Sequence, residues 1–212
     1  QEMIDFGHMD FGESRVQNLV ARSAQATEYI DRIAALPEVS GRGAPKTPNW
    51  HMIGRLQRNK VRKALEVSRL VHSVDSLRLV EEIQAHASKR GAVSEVLIEV
   101  NVSGESQKIG IAAAAVRHVV DQIDTMLNVR ARGLMCMAPQ TDDEDVIRKT
   151  FTRCYELFED IQRVKSSEAK FNILSMGMSN DYEIAIECGA NLVRVGTAIL
   201  GEGNGESDAE QG

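Results

Sequence analysis

The strict alternation of strand-type and helix-type segments is the feature that most limits how this chain can fold. Seven short apolar runs are typical of strands, at residues 8–11, 50–53, 70–74, 95–102, 131–135, 171–174 and 192–195. Segments with the apolar spacing of amphipathic helices separate them. Because strands that are always joined through a helix run parallel, this order predicts an α/β fold with a parallel sheet, either doubly wound or closed as a barrel.

The strand count and the first residues favour a barrel. Residues 1–7, QEMIDFG, are typical of the last turns of an amphipathic helix that stops at Gly7. A TIM-type (β/α)8 barrel needs eight strands, so we expect a first strand that lies upstream of Gln1 and is missing from these 212 residues. The sequence has no GxGxxG or P-loop pattern, which weakens the doubly wound dinucleotide-binding alternative.

The length and composition fit one domain with one core. We predict a single-domain barrel over residues 1–201, followed by a disordered tail at 202–212, where one Ala is the only apolar residue. The net charge of -6 argues against a general nucleic-acid binder. No apolar run approaches the length of a membrane span, so we predict no membrane or nucleic-acid partner.

The cysteines and histidines do not have the spacing of metal ligands. Cys136, Cys154 and Cys188 are odd in number, far apart and without CxxC spacing, so neither a disulfide framework nor a zinc site is indicated. We therefore predict no metal site and a reducing, cytoplasmic location.

The stretch at 171–201 has the chemistry of a phosphate site. Its two strands end in small or hydroxyl-bearing residues, and Ser179 is expected to cap the helix between them, which Gly189 would end. Gly196 and Thr197 follow the second strand. Such strand ends leave backbone N–H groups bare beside a helix N-terminus, and that arrangement binds phosphate.

Arg194 is the strongest single candidate for a binding residue. It shares a strand face with Leu192 and Gly196, while Val193 and Val195 occupy the opposite face, so Arg194 is expected to point inward. An inward guanidinium is costly unless it meets an anion, another acceptor or a ligand. The alternative is a structural ion pair with an interior carboxylate such as Glu99.

Six segments together resemble the pyridoxal phosphate homeostasis proteins, the YggS/PROSC family. They are FGESRVQ at 11–17, WHMIGRLQRNK at 50–60, VNVS at 100–103 with Lys108 and Gly110, GLMCMAP at 133–139, LSMGMS at 174–179 and VRVGTA at 193–198. The resemblance covers residues 7 to 201. It implies the barrel of the alanine racemase N-terminal domain and reversible binding of pyridoxal 5'-phosphate, with no established reaction.

The resemblance also assigns roles to residues of this chain. Ser179 and the backbone of Gly196 and Thr197 would hold the cofactor phosphate, Arg194 would face the pyridine nitrogen, and Met178 would line the pocket. Ser14 stands where the family usually has Asn, so its contact with the cofactor is open.

The resemblance places the reactive lysine outside these residues. The family's Schiff-base lysine lies on the first strand, so it is expected upstream of Gln1, and no residue of the 212 is predicted to be catalytic. Lys60 and Lys108 fall in a helix start and a loop, whereas a nucleophilic lysine needs a desolvated pocket.

The predicted function is a cytoplasmic carrier or buffer of pyridoxal phosphate that passes the cofactor to apoenzymes. We expect a monomer, because the second domain that supports racemase dimers is absent. A racemase or lyase using the same cofactor is the alternative, but it needs a second base, and the three tyrosines fall on predicted helices: Tyr29, Tyr155 and Tyr182.

Two further interpretations remain open at this point. A phosphosugar-binding barrel would need carboxylates at strand ends, for which Glu99 and Asn101 are thin support. His51 is expected to face the barrel interior. It is either a catalytic acid or base, or a histidine whose hydrogen bonds are purely structural.

Overall fold

The computed structural model describes residues 1–35, 46–102, 109–165 and 170–201. Within them, eight strands form one sheet. The strands are β1 (Asp10–Glu13), β2 (Asn49–Met52), β3 (Ser68–Val74), β4 (Ser94–Asn101), β5 (Ile111–Ala112), β6 (Val129–Met135), β7 (Ile173–Met178) and β8 (Leu192–Arg194). Seven of them are the predicted strands with shifted ends, and the two-residue β5 was not predicted. The predicted tail at 202–212 lies outside the described residues.

The sheet is a nearly closed barrel, which confirms the predicted α/β fold of TIM type. Its order is β1-β2-β3-β4-β6-β7-β8, with β5 beside β4, and every pairing is parallel. Across the described ranges, β1 pairs only with β2 and β8 only with β7, so these two strands are the edges. The expectation of a strand upstream of Gln1 stays a prediction.

Helices cover the outside of the sheet. They are α1 (Glu2–Asp5), α2 (Val16–Ala34), α3 (Val61–Val67) after a 3₁₀ turn (Arg58–Lys60), α4 (Leu77–Lys89), α5 (Ala113–Asp124), α6 (Glu144–Val164), α7 (Tyr182–Glu187) and α8 (Thr197–Leu200). Gly7 after α1 and Gly189 after α7 have positive φ values of 82° and 94°, so both end their helices as predicted.

The two faces of the sheet bury different residues. The outer faces pack against the helices in one large core that includes Val96, Ile98 and Phe151. Inside the barrel, a separate small cluster joins four strands through Leu70, Leu97, Met135 and Ile173. Because side chains alternate along a strand, the inward residue two positions after each cluster member lies one layer further toward the carboxyl ends of the strands.

The cap of α6 differs from the capping box that Thr141 and Glu144 suggest. Asp143 is the N-cap, and its carboxylate accepts hydrogen bonds from the backbone N–H groups of Asp145 and Val146 at 3.0 and 3.3 Å. The Thr141 hydroxyl accepts only from the Asp143 N–H, at 3.1 Å. Thr141 lies two residues before the N-cap, and Asp143 has the carboxylate that reaches the free N–H groups of the first turn.

Candidate functional site

A cavity of about 680 Å³ runs along the two edge strands of the barrel. Its walls come from β1, from α1 and the residues that follow it, and from the stretch 192–196 on the other side. Trp50, His51 and His72 also line it.

Arg194 lies on the wall of this cavity and points inward, as the strand alternation predicts. Its guanidinium donates to the backbone oxygen of Ser175 at 3.0 Å, to the Ser175 hydroxyl at 2.7 Å and to the backbone oxygen of Cys136 at 3.1 Å. Burial lowers the pKa of the guanidinium, but an Arg remains protonated in proteins. All three acceptors are uncharged, so the ion pair with Glu99 that we considered is not how Arg194 is held.

Ser179 does not cap the helix that follows it. The N-cap of α7 is Asp181, two residues later. Instead, the Ser179 hydroxyl accepts from the backbone N–H groups of Gly196 and Ala198, both at 3.2 Å, at the start of α8. The reason is geometric, because the ends of β7 and β8 are neighbours and bring the two turns together.

The other predicted site residues are Gly196, Thr197, Met178 and Ser14, and only some of them lie near Ser179 and the cavity. Gly196 borders the cavity, and Thr197 is an exposed residue at the start of α8. Met178 is 38% exposed and its N–H donates to Asp181 at 2.6 Å. Ser14 is exposed after β1, with its backbone oxygen close against Gly54. The structure therefore brings Ser179, Arg194, Gly196 and Thr197 to neighbouring strand ends, while Ser14 is separate.

Of the two lysines considered as substitutes, Lys60 can be located. It ends the 3₁₀ turn before α3 and is not among the cavity-lining residues of the described ranges. Lys108 lies outside the described residues.

Two buried histidines line the cavity beside Arg194. His51 on β2 and His72 on β3 are 7% and 0% exposed, and their rings are joined by a contact of 3.0 Å between His51 Nδ1 and His72 Nε2. Burial lowers the pKa of both imidazoles, and the charge of Arg194 lowers that of His72 further. Both rings are therefore neutral near pH 7.

Sequence reasoning placed His51 inward but missed His72 and Ser175. The signal was present in the strand alternation, because His72 follows the inward Leu70 by two residues and Ser175 follows the inward Ile173 by two. These polar residues form the layer above the apolar cluster.

Glu99 belongs to the same polar layer, two residues after Leu97. It is 4% exposed, and burial, together with the nearby carboxylate of Asp75, raises the pKa of Glu99 from 4.5 to about 7. The positive charges of Arg194 and Arg55 oppose this rise. Glu99 therefore binds a proton in the folded protein over a pH range in which it is ionised in the unfolded chain.

We expect Glu99→Gln to stabilise the protein increasingly as the pH rises. Between 4.5 and about 7 the folded state binds more protons at Glu99 than the unfolded state does, so the wild type loses stability as the pH rises through this window. Because glutamine does not bind or release a proton in this range, the variant does not lose this stability. Thermal unfolding of both proteins should give equal Tm values below pH 4.5 and a higher Tm for the variant, at a constant difference, above about pH 7.

The control for Glu99→Gln is Glu156→Gln, at an exposed position on α6. Its Tm difference from the wild type should not follow the same pH profile. A Glu99→Gln difference that is flat between pH 4 and pH 8 would show that Glu99 is ionised normally in the fold.

Two broader searches of the structure bear on function. Within residues 1–35, 46–102, 109–165 and 170–201 there is no group of three or more His, Cys, Asp or Glu side chains placed to hold a metal ion. None of the helices in these ranges is both long and apolar enough to cross a membrane.

Comparison with known proteins assigns the fold to a class. The family model "Alanine racemase, N-terminal domain" matches residues 4–203. PipY of Synechococcus elongatus PCC7942, solved with PLP bound, superposes with a TM-score of 0.78 at 30% identity, covering 94% of this chain and 85% of PipY. The fold and the cavity thus define a barrel of the alanine racemase N-terminal type.

Sequence relatives narrow this class. A pyridoxal phosphate homeostasis protein of Aquifex aeolicus is 36% identical over 206 residues, which is 95% of this chain and 80% of the relative. A protein of the same name from Helicobacter pylori J99 is 39% identical over 194 residues, or 91% and 77% of the two chains. The chain belongs to the family of pyridoxal phosphate homeostasis proteins.

Proposed function

We propose that this chain binds pyridoxal 5'-phosphate reversibly at the carboxyl ends of β7 and β8, beside Arg194, and serves intracellular pyridoxal phosphate homeostasis as a carrier or buffer. The observation that carries the proposal is the position of Arg194, a guanidinium held by three uncharged oxygens on the cavity wall next to the turn of Ser179 and Gly196. Family membership and the ligand of PipY support pyridoxal phosphate over other phosphorylated molecules.

The residues at the strand ends fit the phosphate of this cofactor. Two backbone N–H groups, of Gly196 and Ala198, already converge on one oxygen atom, the hydroxyl of Ser179. A Cβ built on Gly196 would meet no atom within 4 Å, so there is open space beside these donors. Ser179, Gly196 and Thr197 would hold the phosphate through hydroxyl and backbone donors.

The character of Arg194 suits a carrier. When bound, pyridoxal phosphate supplies an aldehyde and a ring that can stabilise negative charge on an attached carbon. Arg194 only donates hydrogen bonds, so a ring nitrogen that accepts from it stays unprotonated and the ring is a weak electron sink. This favours storage and delivery over transamination, and the names of the relatives, which are not enzyme names, agree with it.

The racemase or lyase alternative lacks a tyrosine at the cavity to act as its second base. All three tyrosines fall in the part of the chain that the structure describes, and none of them lines the cavity. Their hydroxyls contact the carboxylates of Asp5, Glu159 and Glu183. The proposal accordingly includes that the chain catalyses no reaction on amino acids. It also includes, as in the sequence analysis, that the chain acts in the cytoplasm as a monomer and passes the cofactor to apoenzymes.

Trp50 provides a direct test of the proposed binding. It is the single tryptophan of the chain and lies on the cavity wall, 9% exposed. Titration with pyridoxal phosphate should quench its fluorescence to saturation, because the ligand absorbs light near the emission of tryptophan. Pyridoxal without the phosphate should need a much higher concentration.

Ribose 5-phosphate separates the proposal from a phosphosugar-binding barrel. It should compete with pyridoxal phosphate only weakly. Tight binding of ribose 5-phosphate with no quenching by pyridoxal phosphate would overturn the cofactor assignment. Racemisation of L-alanine by the protein with pyridoxal phosphate would contradict the carrier role.

A further inference from the structure

A row of three hydrogen bonds and one longer contact crosses the barrel interior from β8 to the exposed carboxylate of Asp10 on β1. The Ser175 hydroxyl lies 2.7 Å from Arg194 Nη1 and 3.1 Å from His72 Nδ1. His72 Nε2 is 3.0 Å from His51 Nδ1, and His51 Nε2 is 3.4 Å from the Asp10 carboxylate. Four strands besides β8 contribute one residue each, so the row links the two edges of the barrel behind the cavity.

The two ends of this row impose the same direction on it. Arg194 can only donate, so the Ser175 oxygen accepts from it and has its own hydrogen left for His72 Nδ1. His72 then carries its hydrogen on Nε2 and donates to His51 Nδ1. His51 likewise carries its hydrogen on Nε2 and donates to Asp10, which as a carboxylate only accepts.

The reverse direction fails at Asp10. If His72 donated from Nδ1 to Ser175, His51 would have to donate from Nδ1 to His72, and its bare Nε2 would face the Asp10 carboxylate. Two acceptors would then meet at 3.4 Å without a hydrogen between them. Every contact in the row has one donor and one acceptor only when each residue donates to the next, in the direction from Arg194 through Ser175, His72 and His51 to Asp10.

Burial makes a wrong direction of these hydrogen bonds costly. Ser175 and His72 are 0% exposed and His51 is 7% exposed, so water cannot readily replace a lost partner. A neutral imidazole has one donor and one acceptor, which is what the order requires of each ring. Burial lowers the pKa of both rings and so keeps them neutral. The carboxylate of Asp10 opposes this for His51, while the charges of Arg69 on β3 and, for His72, of Arg194 on β8 add to the lowering.

We propose that Ser175, His72 and His51 are positioning residues of the cofactor site, which hold the Arg194 guanidinium in place through a one-way hydrogen-bond chain anchored at Asp10. The proposal rests on the proposed function and extends it to residues that act on the cofactor through Arg194. The Ser175 hydroxyl is the one side-chain acceptor of Arg194 among its hydrogen bonds in the described ranges, the other two being backbone oxygens. Among these three acceptors, only the hydroxyl can rotate. The hydrogen bond from this hydroxyl to His72 therefore holds the one acceptor of the guanidinium that could otherwise move.

The first test uses the wild-type protein without cofactor. Long-range ¹H–¹⁵N NMR of protein labelled at histidine distinguishes Nε2–H from Nδ1–H tautomers and from imidazolium, and His51→Gln and His72→Gln assign the signals. We expect both rings to be neutral Nε2–H tautomers at pH 7. An Nδ1–H tautomer or an imidazolium at either residue would overturn the proposal, even if pyridoxal phosphate binds.

The second test compares two buried serines. Ser175→Ala removes a member of the row, while Ser73→Ala, at a buried position on β3, removes a hydroxyl that donates to the Gly54 backbone oxygen outside the row. We expect Ser175→Ala to release His72 into a mixture of tautomers and to weaken pyridoxal phosphate binding about tenfold, as the loss of one hydrogen bond would. Ser73→Ala should leave the tautomers and the affinity as in the wild type.

The outcomes separate the two proposals. Equal affinities of the Ser175→Ala and Ser73→Ala proteins would overturn the positioning role while leaving the binding function intact. Failure of the wild type to bind pyridoxal phosphate at all would overturn the proposed function and the positioning role with it, and the tautomers would then describe a structural network only.

Discussion

Gly133→Ala should leave almost no folded protein. A Cβ atom at this position would lie 1.7 Å from the backbone oxygen of Ile173 on the neighbouring strand, and φ of Gly133 is +154°. The obstacle is backbone rather than a flexible side chain, so β6 and β7 would have to separate at the centre of the barrel. We expect a loss of more than about 4 kcal/mol, which exceeds most single substitutions.

Gly91→Ala is the matched control for Gly133→Ala. Gly91 also has a positive φ, +63°, but a Cβ there would meet no atom within 4 Å, so only the backbone preference is lost, at about 1 kcal/mol. Urea unfolding of the soluble fraction measures both variants. Equal, mild destabilisation by the two substitutions would show that β6 and β7 do not approach as closely as described here.

The second large effect is expected at the cofactor site itself. Arg194→Gln removes the positive charge and shortens the side chain, so it loses the donors that reach Ser175 and Cys136. In the proposed site it also loses the donor to the pyridine nitrogen. A charge-assisted hydrogen bond is worth about 1.5–3 kcal/mol, so we expect pyridoxal phosphate affinity to fall at least about tenfold. Titration of Trp50 fluorescence measures this change.

Arg163→Gln controls for the loss of one arginine charge. Arg163 is an exposed residue of α6 whose side chain pairs with Glu159 at 3.0 Å, so its replacement should not alter cofactor affinity. Circular dichroism should show that both variants are folded. If Arg194→Gln is folded and binds pyridoxal phosphate as tightly as the wild type, Arg194 does not contact the cofactor.

Much of the fold could be predicted because its elements are locally encoded. The alternation in β4 separates the outward Val96 and Ile98 from the inward Leu97 and Glu99, and the structure confirms this division. The alternation of strands and helices was sufficient for the parallel sheet, and the strand count then favoured a barrel over a doubly wound sheet. Strand ends were less accurate, since β7 begins at Ile173 and extends four residues past the predicted end, into LSMGM, where small and polar residues line the interior.

The errors came from contacts between distant segments. Ser179 has the right residue type and position for a helix cap, but it caps α8 across the ends of two strands, and nothing near it in sequence specifies that partner. The contact between His51 and His72 likewise depends on the register of β2 and β3, which shifts between Trp50 and His51. Local patterns cannot determine such a shift.

The candidate site was predicted from two sources of unequal strength. The inward direction of Arg194 follows from strand alternation, and its position on the cavity wall agrees with that direction. For Ser179, Gly196 and Thr197, the strand-end chemistry and the family resemblance both indicated the phosphate. The roles of Met178 and Ser14 came from the resemblance alone, and all five roles stay predictions.

A crystal structure of the protein grown with pyridoxal phosphate tests the central claim most directly. We predict the phosphate beside Ser179, Gly196 and Thr197, and the pyridine nitrogen within hydrogen-bond distance of Arg194. Pyridoxal phosphate bound elsewhere on the protein, or a cavity that contains no cofactor at saturating concentration, would contradict the account.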